Sequence, residues 1–161
     1  IANIASEIRS RGHDYRCQVL LLRREAATAE VAHALGVAAG DSVFHSRCLH
    51  FENGVPVQLE SRWVNPRAAP DFGAQDFAAQ TPSEYLVQQV PFHEIEHVVD
   101  AVLPDAEHAQ ALAIAPGEPC LLLTRRTWND AGVVTWVRCL HPASRYRLGS
   151  RIKAGAADHG A

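Results

Sequence analysis

The chain has 161 residues, of which 47% are apolar and 20% charged, and its formal net charge is −3 at pH 7. This length and composition predict one globular domain with a core of its own. The negative charge excludes a general attraction to phosphate backbones, and no apolar run approaches the ~20 residues that span a bilayer, so we expect a cytoplasmic domain without a membrane partner.

The first half of the chain is predicted to alternate helices with antiparallel strands. IANIASEIRSRG opens as a helix, and residues 17–26 are apolar and branched, which favours a strand. Thr28 can cap a short helix that Gly36 ends. The run Glu52-Asn53-Gly54 lies between two strand-like segments and predicts a hairpin.

The second half repeats the hairpin pattern. Residues 66–80 predict a loop with a short helical turn, and Thr81 before Pro82 predicts a helix start. Asp105 can cap another helix, and the turn NDAG at 129–132 joins two further strands. Hairpins without long strand-helix-strand alternation predict an α+β fold, an antiparallel sheet with helices on one face and at the ends.

The chain ends and the cysteines carry further expectations. Cys17, Cys48, Cys120 and Cys139 form no C-x-x-C pair, so reduced buried thiols are expected rather than zinc knuckles. The chain contains no methionine, which suggests a fragment of a longer protein. The small and polar residues 153–161 are expected to form a flexible tail.

The stretch PFHEIEHVVDAVLP, residues 91–104, contains the letters H-E-x-x-H, which bind zinc when they lie on a helix. Its valines and isoleucine favour an extended chain instead. On a strand, His93 and His97 would lie about 13 Å apart, too far for one ion. We therefore expect no metal site and no zinc hydrolase.

One predicted strand, residues 56–66, alternates in a way that suggests a pocket. Gln58, Glu60 and Arg62 share one face, and Val57, Leu59 and Trp63 the other. A solvated outer face would explain the polar residues. The neighbouring strands, however, add further mixed residues to that region: Ser46, Cys48, His50, Thr135, Val137, Cys139 and His141. Such a mixture is typical of a small-molecule site.

The helix start at 81–85 offers a second polar element. Its backbone N–H groups favour an anion, and Ser83 and Tyr85 could add hydroxyl donors, although simple capping would also explain Thr81. Arg125 and Arg126 fit either pocket cations or surface ion pairs. Signals for catalysis are weak, because neither a nucleophile elbow nor a phosphate loop is present in the sequence. We expect a binding domain, not an enzyme, and no cofactor.

Several separated blocks resemble one family of regulators. They are IANIASEIRSRGHDYRCQVL, HFENGVPVQLESRWVNP, QDFAAQTPSEYL, EHVVDA, PCLLLTRRTW and HPASRYRL. These blocks are similar to the effector-binding half of GntR-type histidine-utilisation repressors, whose sensor is the UTRA domain with a chorismate lyase-like fold. The resemblance covers residues 1–152, and it implies that the N-terminal winged helix-turn-helix is missing here.

The resemblance implies a homodimeric sensor that binds urocanate and then releases operator DNA, which the missing N-terminal domain would contact. Carried over by position, the family's ligand residues fall on Asn3, His50, Glu60, Ser83, Tyr85, Thr135 and His141. His50 replaces an arginine that relatives with sugar-phosphate ligands use. A sensor of a sugar phosphate or an amino acid, or a chorismate lyase-like enzyme, are the alternatives.

The chemistry of urocanate suggests which candidate residues contact each end of the ligand. Arg62, Ser83 and Tyr85 could hold the carboxylate. Glu60 could accept from the imidazole, with Gln58 or His50 beside it. Ligand binding is expected to order the opening helix near Asn3.

Overall fold

The computed structural model describes residues 3–157. Its elements in chain order are α1 (Ile4–Ser10), β1 (Tyr15–Ala26), α2 (Ala29–Leu35), β2 (Ser42–Glu52), β3 (Val55–Val64), a 3₁₀ turn (Phe72–Ala74), α3 (Pro82–Gln89), β4 (Glu94–Val102), α4 (Ala106–Ala111), β5 (Cys120–Asn129), β6 (Gly132–Pro142) and α5 (Ala154–Ala157). The strands form one antiparallel sheet in the order β1-β2-β3-β6-β5-β4. The predicted antiparallel α+β fold is confirmed.

Local sequence signals determine the turns and caps that were predicted. Asn53 and Gly54 have φ values of 49° and 79°, as a tight hairpin turn between β2 and β3 requires. The hydroxyl of Thr28 accepts from the backbone N–H of Val31 at 3.3 Å, and Gly36 ends α2 with a φ of 66°. These predictions are confirmed.

The ambiguous segment around the H-E-x-x-H letters is a strand. Its β-branched residues pair with β5, with Val98 opposite Thr124 and His97 opposite Arg125. The prediction of an extended chain is confirmed, so the two histidines do not lie one turn apart on a helix.

Helices cover both faces of the sheet. Gln58, Glu60 and Arg62 point to one face, here called the site face, and α1 and α3 lie over it. On the opposite face, α2 packs against Trp63 and Trp136, and α4 lies beside a cluster that includes Leu59, Leu112 and Leu140. The sequence analysis predicted helices on one face of the sheet and at its ends. In the structure helices lie over both faces, because β3 and β6 carry apolar residues on each face.

Two expectations concern membranes and the tail. The longest helix among residues 3–157 is α3, whose 8 residues are too few to cross a bilayer. The expected tail at 153–161 begins with the short helix α5, and residues 158–161 lie outside the described residues. The domain end at residue 152 and the flexible tail stay predictions.

Candidate ligand-binding site

A small polar cavity lies between α1 and the site face. Its walls are Asn3, Ile4, Glu7, His50, Gln58, Glu60, Thr81, Ser83, Leu123, Arg125, Cys139, His141 and Tyr146. The free volume open to water centres in this cavity is about 20 Å³. The cavity can therefore hold a water molecule but not a metabolite. A ligand at this place therefore requires part of the wall to move.

His50 is buried completely between two polar partners. Its Nδ1 lies 2.7 Å from the hydroxyl of Tyr15, and its Nε2 lies 3.1 Å from Oε1 of Glu60. An ionised carboxylate only accepts hydrogen bonds, so Nε2 carries a hydrogen and Nδ1 of a neutral ring accepts from Tyr15. Burial raises the pKa of Tyr15, which keeps its hydroxyl a donor.

Arg62 connects the sheet to α3 beneath the cavity. Its guanidinium donates to Oε2 of Glu60 at 3.3 Å, to the hydroxyl of Thr135 at 3.4 Å and to the hydroxyl of Ser83 at 2.9 Å. Burial by itself would raise the pKa of Glu60, but the charge of Arg62 and the hydrogen bonds from His50 and Arg62 outweigh it and lower the pKa to about 2. Glu60 is therefore a buried carboxylate that keeps its charge.

His141 adds a second buried imidazole to the cavity wall. Its Nε2 lies 3.4 Å from Nε2 of Gln58, and its ring stacks on Tyr146 with centroids 3.7 Å apart. Its Nδ1 has no hydrogen-bond partner among the described residues. Burial lowers the pKa of His141 to about 4, so the ring is neutral at pH 7.

Two thiols lie beside His50 on neighbouring strands. Cys17 is opposite His50 in the register, and Cys48 is two residues from His50 on β2. The neighbouring Cys48 thiol and the nearby His50 lower the pKa of Cys17 to about 7, while the Cys17 thiol and burial raise the pKa of Cys48. All four cysteines are free, as expected, but Cys17 is only half-buried.

Six of the nine predicted site residues line the cavity: Asn3, His50, Gln58, Glu60, Ser83 and His141. Arg62 and Thr135 lie behind the wall and bond to each other. The ring of Tyr85 packs in an aromatic cluster with Phe72 and Phe77. A ligand role for all nine stays a prediction, and the placement of Tyr85 does not favour one for that residue.

Sequence reasoning did not select Tyr15, Glu7 and Tyr146. Tyr15 was detectable only through the register that brings β1 beside β2, and Glu7 and Tyr146 only through the packing of segments far apart in the chain. Arg125 was left open between pocket and surface; it lines the cavity, whereas Arg126 pairs with Glu96 at 3.1 Å.

The zinc-like letters do not form a site. His93 lies just before β4 and its Nε2 is 3.1 Å from a carboxylate oxygen of Asp130. Within residues 3–157, no three histidine, cysteine or acidic side chains gather in a metal-binding geometry.

A wider groove lies on the opposite face of the sheet. It offers about 370 Å³ and is lined by Leu59, Ser61, Val102, Leu103, Pro104, Asp105, His108, Leu122, Arg138 and Leu140. The groove has more space than the cavity but lacks its buried, converging polar groups. It is one alternative place for a small ligand.

Comparison with known proteins defines the class. The UTRA domain family matches residues 10–147, and the chain belongs to this family. The effector domain of PhnF from Mycobacterium smegmatis has a TM-score of 0.84 at 21% identity, covering 94% of this chain and 95% of that one, which supports the fold alone.

Relatives of higher sequence identity are repressors of one kind. The histidine utilization repressor of Pseudomonas putida is 53% identical over 152 residues, covering 94% of this chain and 61% of the relative. The crystal structure of the C-terminal domain of the histidine utilization repressor from Pseudomonas syringae pv. tomato has a TM-score of 0.84 at 49% identity, covering 87% of this chain and 99% of that one. The chain spans about three fifths of the length of the curated relatives. They are named as repressors and not as enzymes, in accord with the expectation of a binding domain.

Proposed function

We propose that this chain is the ligand-sensing domain of a cytoplasmic repressor of histidine breakdown, and that its ligand is urocanate. The observation that carries the proposal is the buried group Glu60, His50, Gln58 and His141, whose polar atoms converge on one cavity. The names of the relatives reported above support the same reading. Operator DNA would be contacted by a part of the intact protein outside this domain.

The chemistry of the cavity suits an imidazole. An imidazole offers one N–H donor and one acceptor nitrogen, and Glu60 accepts while the amide of Gln58 does both. A sugar phosphate would need several cationic donors, and the family resemblance implies that His50 occupies the place where relatives with sugar-phosphate ligands carry an arginine.

The small volume of the cavity suggests how binding is transmitted. The sheet side is fixed by six paired strands, so the movement falls on the segments that cover the cavity, and we assign it to α1, which contributes Asn3, Ile4 and Glu7. Arg9 of α1 pairs with Glu84 of α3 at 3.5 Å, which couples the two helices. Urocanate would shift the equilibrium by binding the arrangement with α1 displaced better than the closed one.

We further propose that the domain forms a homodimer through the β4 edge, the exposed apolar residues of segment 92–103. They are Phe92, Ile95, Val98, Val99 and Leu103, each at least 39% exposed. Since β4 is an edge strand with apolar side chains on both faces, leaving it in water is unfavourable. A second copy presents the same apolar surface and can cover it around a twofold axis.

Isothermal titration calorimetry on this chain tests the ligand assignment. Urocanate, L-histidine and N-acetylglucosamine 6-phosphate are titrated in the same buffer. Micromolar binding of urocanate with much weaker binding of the other two is the expected result. Tight binding of the sugar phosphate would overturn the assignment, and conversion of a chorismate-type substrate would point to a lyase.

A further inference from the structure

The cation best placed to receive an acidic ligand differs from the one that strand alternation suggests. We propose that Arg125 of β5, and not Arg62 of β3, anchors the carboxylate of the ligand, which lies across β6 with its ring toward Glu60 and His50. The inference rests on the proposed function and gives the ligand an orientation.

Arg62 is already bonded within the protein. Its three donor nitrogens contact Glu60, Thr135 and Ser83, its charge is balanced by Glu60, and its residue is only 2% exposed. A ligand carboxylate would have to break this buried ion pair and leave Glu60 without its counter-ion. Breaking a buried pair is strongly unfavourable, so Arg62 is a poor anchor.

Arg125 has the opposite properties. It is half-buried in the cavity wall, and no carboxylate lies within ion-pair distance of it among residues 3–157. Its neighbour Arg126, on the other face of β5, is neutralised by Glu96. An arginine fork in a cavity wall, with no carboxylate within ion-pair distance among the described residues, is suited to bidentate binding of a ligand carboxylate.

The surface between the two ends suits a flat ligand. Leu123, Val137 and Cys139 form a buried apolar cluster on the site face between Arg125 and Glu60. Two strand spacings, about 10 Å, separate the backbones of β5 and β3. A planar acid with an N–H ring at its far end would place its apolar middle over this cluster and each polar end beside a matching group.

The test compares Arg125→Gln with Arg126→Gln, a matched loss of charge on the same strand, by calorimetry. Urocanate and its neutral primary amide are titrated into both variants and the parent chain, after circular dichroism has established that all three are folded. We expect Arg125→Gln to weaken urocanate binding about 10- to 100-fold, because a charged hydrogen-bonded contact is lost. Binding of the amide should change less than about 3-fold, and Arg126→Gln should leave both unchanged.

Two failures are distinguishable. In the first, the parent chain binds urocanate, and Arg125→Gln either binds it equally well or weakens binding of the amide as much as binding of urocanate. The Arg125 assignment is then overturned while the proposed function stands. If the parent chain does not bind urocanate, the proposed function fails. The same pair of variants is then titrated with L-histidine and 3-(imidazol-4-yl)propanoate, and equal or absent binding there overturns the anchor as well.

Discussion

Glu60 and Arg62 are charged side chains two residues apart on a central strand, and both are removed from water. Their residues are 3% and 2% exposed. Ions buried in this way are tolerated only when each is paired and hydrogen-bonded, and His50, Ser83 and Thr135 complete that requirement here. At this scale the site is a preorganised polar cluster within an apolar core.

Removing the charge of Glu60 should destabilise the domain. Glu60→Gln leaves Arg62 buried without a counter-ion, and we expect the free energy of unfolding to fall by about 3 to 5 kcal/mol. Glu96→Gln, which breaks the exposed pair with Arg126, should cost about 0 to 1 kcal/mol. Urea denaturation at pH 7 measures both, and equal effects would show that the buried pair does not stabilise the fold.

His141 should make stability depend on pH. Its pKa is lowered to about 4 in the folded chain, against about 6.5 when unfolded, so between these values the unfolded chain binds a proton that the folded chain does not. Stability therefore falls as the pH drops from about 6.5 toward 4.

Between pH 7 and pH 5, the free energy of unfolding should fall by about 2 kcal/mol less in His141→Asn than in the parent chain. Glu60 titrates below this pH range. His33→Asn, on the exposed side of α2, is the matched control. Urea denaturation at the two pH values measures it, and an unchanged loss in His141→Asn would contradict the burial argument.

The elements differ in how far the sequence alone predicts them. The caps of α2 and α3 and the Asn53-Gly54 turn depend on residues within a few positions, so they were predictable. The position of Tyr85 at a helix start suggested a hydroxyl donor, and only the packing of distant segments shows that its ring belongs to an aromatic cluster. Arg125 could be placed in the cavity wall only once the register of β5 and β6 was known, because alternation alone does not say which face bears the cavity.

The short 3₁₀ turn packs closely against a ring of the core. A Cβ at Gly73 would lie 2.6 Å from Cε1 of Phe44, a buried ring of the core. Gly73→Ala should therefore destabilise the domain by about 1 to 3 kcal/mol through overpacking. Gly117→Ala meets open space and is the control. Thermal denaturation compares them, and a Gly73→Ala variant as stable as Gly117→Ala would contradict the packing described here.

At the scale of the whole molecule, the domain has a polar cavity on one face and an apolar edge at β4. The two features share β5, which carries Arg125 toward the cavity and pairs with β4 along its length. A dimer formed at β4 would therefore lie close to the ligand.

A single charged residue introduced on β4 should prevent formation of the homodimer. We expect the parent chain to sediment with twice its mass of 17.6 kDa, and Val98→Arg to sediment as a monomer because the charge would be buried in the interface. Val87→Arg, at an apolar position of α3 that is 62% exposed, should remain dimeric. Analytical ultracentrifugation decides, and a parent monomer or a dimeric Val98→Arg would contradict this surface.

A crystal structure of the chain grown with urocanate would show where the ligand binds and how it is oriented. We predict that the ligand lies between α1 and the site face, with its ring hydrogen-bonded to Glu60 or Gln58 and its carboxylate on Arg125. Urocanate bound in the opposite groove beside Leu103 and His108, or a cavity that stays closed at saturating urocanate, would contradict it.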